Sequence, residues 1–184
     1  MPFTPYHVGP SGFFGLLLRR WLDVPMVLLV NVLIDTEVLA ANHFSSDWRV
    51  HQFLHFHTLL VGGLAGAALG ALFYFLRPLR RLCELGMALI GLPQKARLWP
   101  MVIGGLLGAW LHILIDSVYH YDVQIFWPYA KNPVQRWLYT QLGTNVRTLQ
   151  GSVKTVCLVF WGLLAVLYLF LLFKKLAKTW KSKS

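Results

Sequence analysis

His112-Ile-Leu-Ile-Asp116 sets an imidazole and a carboxylate four residues apart within an otherwise uncharged run. On a helix that spacing brings both groups onto one face, about a turn apart, within reach of a single metal ion. Ionisable side chains in or at the edge of an apolar helix are costly unless paired, so they are retained where they bind or react. A structural His–Asp hydrogen bond is the plainer alternative.

Three further places carry related groups. His51, His55 and His57 precede an apolar run. His51 and His55 share a face if the segment is helical, whereas His55 and His57 do so if it is extended. His57, followed by Thr58 at the head of the run, is the preferred ligand; in the plainer reading these rings simply tolerate the headgroup region. Asp35-Thr36-Glu37 closes another apolar run with two carboxylates, suited to a bridging ligand and a second ligand or a base. The alternative is a solvated helix end, but acids there face the negative end of the helix dipole, which a cation would relieve. His7, between Pro5 and Gly9-Pro10, gains weight from this company.

Mixed imidazole and carboxylate donors suit Zn²⁺, with Mn²⁺ or Fe²⁺ as alternatives, and one to three ions are expected. Only two cysteines occur, Cys83 and Cys157, which argues against a thiolate zinc site, and the topology keeps them apart. There is no Gly-rich phosphate loop and no G-x-S-x-G elbow, so metal-activated water is favoured over covalent catalysis.

The elements that position these groups belong to a membrane. The 184 residues fit a single domain, 1–184, with 57% hydrophobic residues and 13% charged, against about 25% charged in an average soluble protein. Runs 59–76, 99–115 and 156–173 contain no Lys or Arg and approach the roughly 17–25 residues of a spanning helix. Runs 12–18 and 24–34 are shorter and flank Arg19-Arg20-Trp21-Leu22-Asp23, which reads as a turn between antiparallel helices partly shielded from lipid. The expectation is an all-α polytopic bundle of about five helices. Its motifs lie within 1–133, and a last membrane helix at about 153–175 carries a basic cytoplasmic tail. The N-terminus lacks the pattern of a secretory signal, so no cleavage is expected.

Segments around Arg19 and Arg20, across 77–97 and after Phe173 hold twelve of the 17 basic residues. If these share the cytoplasmic side, the N-terminus lies outside and the C-terminus inside. His7, Asp35, Glu37, His51, His55, His57, His112 and Asp116 then all fall on the outer side, although only basic residues defined the orientation. The net charge of +10 is thereby explained by the membrane, and no nucleic-acid partner is expected. Glycines at four-residue spacing, Gly62, Gly66 and Gly70 in one run and Gly104 and Gly108 in another, predict close contact between those two helices.

The opening Met1-Pro-Phe-Thr-Pro-Tyr-His7, Asn31-Val-Leu-Ile-Asp35-Thr-Glu37, His57-Thr58-Leu59-Leu60, Leu111-His112-Ile-Leu-Ile-Asp116-Ser117 and Phe126-Trp127-Pro128-Tyr129 occur in that order. Together they resemble the membrane-bound metal-dependent hydrolases of YdjM type, over residues 1 to about 133. That family is similar to zinc-dependent phospholipase C and the fungal zinc nucleases, so the resemblance implies a related helical core and a zinc cluster that hydrolyses phosphate esters. By motif match it implies His7, Asp35, His57, His112 and Asp116 as ligands. Glu37 matches less firmly, and three histidines stand where two are usual, with His55 preferred over His51 as partner of His57. Asp122 either stands behind the ligands or caps its loop, and Trp127 and Pro128 shape the mouth.

These readings converge on a multi-pass, outward-facing hydrolase acting on a phosphate-bearing lipid or lipid-linked substrate, with Glu37 and Asp122 as further catalytic candidates. The alternative class is a non-enzymatic metal or haem binder or an ion transporter, for which ligands near the bilayer midplane are the signature.

Overall fold

A computed structural model describes residues 5–129, 131–143 and 145–181. Lys183 of the basic tail and the first four residues of the opening motif lie outside them. Among the described residues the chain forms α1 (Pro5–Leu17), α2 (Val24–Leu33), α3 (Thr36–Phe44), α4 (Leu59–Phe75), α5 (Arg77–Leu89), α6 (Leu98–Tyr119), α7 (Pro133–Leu142) and α8 (Val146–Lys181), with a short 3-10 turn at Val50–Gln52 and no strand.

Three helical stretches are long and apolar enough to cross a bilayer: Val24–Phe44, Leu98–Tyr119 and Val146–Trp180. A fourth crossing is available if α4 and α5, bent by 96° at Leu76, count as one broken span. The 22 residues of α6 extend about 33 Å at the usual helical rise, close to the roughly 30 Å thickness of the hydrocarbon layer. Exposed Trp99 stands at its start and exposed Tyr121 just past its end, as aromatic side chains do at the two membrane surfaces.

Several expected boundaries move. The apolar run after Asp23 does not stop at Asp35; α2 and α3 follow one another through αR conformations at Ile34 and Asp35, giving the 21-residue stretch Val24–Phe44. No glycine or proline follows Pro25 in this stretch, and carboxylates with partners do not break a helix. Asp35 and Glu37 therefore sit within a rod, and the helix-dipole penalty assumed for them does not arise. The helix α1 begins by Pro5, so His7 lies inside it. Two amphipathic stretches, α5 and α7, are helices beyond the five apolar runs, and α8 extends past both expected ends. In α5, Cys83 and Met87 face inward while Arg77 and Arg81 are exposed, the alternation of a helix lying against the bundle.

The hub is α6, which packs against α1, α2, α4, α7 and α8. A Cβ on Gly66 would overlap the Gly105 carbonyl and a Cβ on Gly105 the Gly66 carbonyl, so α4 and α6 meet backbone to backbone. The expected contact is there, but its α6 side is Gly105. A Cβ on Gly108 would instead overlap the Val27 carbonyl of α2, and one on Gly104 would lie 3.0 Å from the Asp23 carbonyl. Small residues on two faces thus let α6 approach two helices closely. Local caps set the neighbours: Asp23 accepts from Met26 N at 3.0 Å to start α2, and Thr58 accepts from Val61 N at 3.1 Å to start α4.

Candidate metal centre

Four elements deliver side chains to one end of this bundle. His7 comes from the first turns of α1, Asp35 from the α2–α3 junction, His57 from the residues before α4, and His112 and Asp116 from the last two turns of α6. The Thr58 cap fixes where α4 begins and so where His57 stands, while Gly66–Gly105 packing holds α4 against α6. His7, His57, His112 and Asp116 are all at most 2% exposed.

Donor atoms of Asp35, His57, His112 and Asp116 gather within 4.8 Å of one another. His112 Nε2 lies 3.0 Å from Asp116 Oδ2 and 3.2 Å from Asp35 Oδ1, and His57 Nε2 lies 3.5 Å and 3.7 Å from the same two oxygens. Neither imidazole nitrogen makes a hydrogen bond of acceptable geometry. Donors bound to a tetrahedral zinc at 2.0–2.1 Å stand roughly 3.3–3.4 Å apart, so these four spacings bracket those of a coordination shell. The residues present fit a divalent ion.

The surroundings support the same reading. Glu37 is fully buried, and its Oε2 accepts from the His57 backbone N–H at 3.1 Å and from His57 Nδ1 at 2.8 Å. With Nδ1 donating to Glu37, Nε2 faces the Asp35 and Asp116 carboxylates, a place where a cation is stabilised, be it the proton of an imidazolium or a metal ion. Burial works against charge on His57, yet the carboxylates of Asp116, Asp35 and Glu37 outweigh it and hold the imidazole well above its ordinary range. Among the described residues, the ion-pair partners of Glu37, Asp116 and Asp122 are histidines alone.

His7 hydrogen-bonds Asp116 Oδ1 at 3.0 Å and stacks on His112 with ring centroids 4.3 Å apart. It therefore steadies the oxygen of Asp116 that points away from the four-atom cluster. Glu37 stands outside both groups of donors, its two oxygens accepting from Leu54 N, His57 N and His57 Nδ1. His55 departs from expectation. It stands outside both groups of donors, stacked on Trp127 at 5.1 Å, with a backbone φ of 57°. That left-handed turn separates it from His57, which neither an extended nor a helical reading of the segment anticipates.

Beside the first cluster lies a second group, His51, His120 and Asp122, also with donor atoms within 4.8 Å. Asp122 Oδ2 accepts from the His51 backbone N–H at 3.2 Å and from His51 Nδ1 at 2.8 Å. Burial disfavours the Asp122 charge, but these bonds keep its carboxyl below the usual range. Burial pushes the His120 imidazole down to about 4, against the pull of Asp116. The two groups adjoin: His120 Nε2 lies 4.0 Å from Asp116 Oδ1, and the His51 and His57 rings are 4.7 Å apart. His120 was not among the sequence candidates, though His112, Asp116 and His120 recur at four-residue spacing. Extending the i,i+4 pair by one turn finds it.

Comparisons with known protein families, with curated proteins and with solved structures find no match.

Proposed function

We propose that this chain is a membrane-embedded metal-dependent hydrolase that cleaves a phosphate ester of a lipid or lipid-linked substrate. The observation that carries this reading is the convergence of two unbonded imidazole nitrogens and two carboxylates, drawn from separate elements, at coordination spacing. The resemblance to YdjM-type hydrolases supports it through the motif order. Asp35, His57, His112 and Asp116 would hold a divalent ion, which when bound would polarise a phosphoryl oxygen and lower the pKa of water.

The chain's own residues do the rest. Glu37 holds His57 in the tautomer that presents Nε2, and His7 fixes Asp116. The Asp35 side chain is 25% accessible where the His57, His112 and Asp116 side chains are at most 2%, so water and substrate enter past Asp35. His51, His120 and Asp122 form the seat of a second ion. His7, His51, His57, Asp116, His120 and Asp122 lie in terminal turns or between helices, on the side of exposed Trp48, Tyr121, Phe126 and Tyr129, the headgroup level at which a lipid phosphate resides, while Asp35 and His112 reach them from deeper in Val24–Phe44 and α6. The concentration of basic residues at the opposite end supports an orientation with that end in the cytoplasm and this one outside.

The test is elemental metal content of the detergent-purified protein, with phosphate-ester hydrolysis measured on the same samples. Wild type is expected to carry stoichiometric zinc or manganese and to hydrolyse the ester. His112→Ala and Asp116→Ala are expected to lose both. His120→Ala is expected to lose the ion of the second group and retain that of the first. A folded, metal-free wild type that stays inert after reloading refutes the hydrolase; bound metal without hydrolysis of any phosphate ester leaves a non-enzymatic metal binder.

A further inference from the structure

The other end of the bundle holds a second site of different chemistry. Between the turn after α1, the loop after α5 and the last third of α8 lies a cavity of about 340 Å³, with Arg19, Lys174, Lys175 and Lys178 around an apolar floor that includes Leu92 and Leu171. Its walls are tied together: Lys175 Nζ donates to the Gly91 carbonyl at 2.7 Å and the Tyr168 hydroxyl to the Ile90 carbonyl at 2.9 Å. Gly91 makes the loop possible, since its φ of 77° is a conformation that side chains with a Cβ rarely adopt.

No carboxylate lines this cavity. The acids at this end are engaged elsewhere, Asp23 in capping α2 and Glu84 in accepting from Ala96 N at 3.1 Å. Lys174 and Lys178 are i,i+4 neighbours on α8, a like-charge pair that is unfavourable on a helix unless an anion lies between them. The cavity also sits where the uncharged run of α8 ends at Phe173, and exposed Trp21, Trp99 and Trp180 mark the same end.

We propose that this cavity binds the headgroup phosphate of an anionic phospholipid, with its acyl chains descending past Leu92 and Leu171. A basic rim over an apolar floor at headgroup depth matches the two halves of such a lipid, whereas a soluble anion needs only the rim. The site is separate from the metal centre and holds whether or not the chain is a hydrolase.

The full chain is reconstituted in phosphatidylcholine with phosphatidylglycerol, extracted in mild detergent and examined by native mass spectrometry for retained lipid. Wild type is expected to retain phosphatidylglycerol in preference to phosphatidylcholine. Lys174→Gln/Lys178→Gln is expected to bind it about 30-fold more weakly, two charges at roughly fivefold each, with helicity and metal content unchanged. Arg77→Gln/Arg81→Gln, exposed charges on α5 at the same end, is expected to match wild type. Equal retention of the two lipids, or equal loss in the α5 variant, overturns the site in favour of diffuse charge. Thermal stabilisation by inorganic phosphate equal to that by phosphatidylglycerol overturns the lipid in favour of a soluble anion.

Discussion

Helices α6 and α8 are both long and apolar enough to cross a bilayer and have opposite roles. Of the most apolar stretch of α6, 39% is buried in the protein, against 6% for α8. The glycines of α6 meet the backbones of α4 and α2, whereas Gly151 and Gly162 of α8 face open space. The polar residues of α6, His112 and Asp116, sit on its buried side; the charged residues of α8 stand at its ends. Hydrophobicity alone therefore says which segments are apolar enough to cross a bilayer. Small residues and buried polar groups say which of them form the core, because helix association in lipid depends on close packing and on polar contacts.

The sharpest way to break this contrast is to fill the α4–α6 contact. Gly105→Val drives a side chain into the Gly66 carbonyl and is expected to destabilise the protein by about 3 kcal/mol, the upper range for overpacking, read as a lowered melting temperature in detergent. Metal should be lost in parallel, since the same contact sets His57 against His112. A variant as stable as wild type would mean that the helices do not meet there.

Glu37→Gln sharpens the comparison by leaving the packing alone. It keeps the shape of a buried side chain but turns an amide NH2 toward N–H groups that the carboxylate accepted from, so metal affinity is expected to fall roughly 10- to 100-fold and the metal-free protein to lose about 1–3 kcal/mol. Competition with a chelator measures the first and thermal unfolding the second. An unchanged affinity would remove Glu37 from the centre.

The smallest effect belongs to α8. Gly162→Ala adds a methyl group where no atom lies within 4 Å and raises helix propensity, so stability is expected to rise by up to about 1 kcal/mol with metal content unaltered. A loss of stability would show that this face of α8 is covered, and the contrast with α6 would fail.

Much of the centre is legible in the sequence where ligands are local. His112 and Asp116 are one turn apart on one helix, and that pair can be read without a fold. His120 continues the same spacing but lies just beyond the helix end, where the apolar pattern stops and attention to it lapses. The histidines at 51, 55 and 57 cannot be sorted in this way. Their roles turn on a 3-10 turn and one residue with positive φ, which no hydrophobic period encodes. Glu37 misleads for another reason: a carboxylate beside Asp35 reads as a second ligand until the N–H groups it accepts from, including one 20 residues away at His57, are in view.

The sequence by itself determined that the chain is all-helical with segments long and apolar enough to cross a membrane, and that an imidazole and a carboxylate share one face of the helix carrying His112 and Asp116. Those properties follow from composition and from spacing within single elements. Tertiary structure alone decided that Gly105 faces α4 while Gly108 faces α2, that His55 is turned aside, and that His51 meets Asp122 across 71 residues. Each depends on the rotation and depth of one helix against another, which close packing sets and a linear pattern does not record.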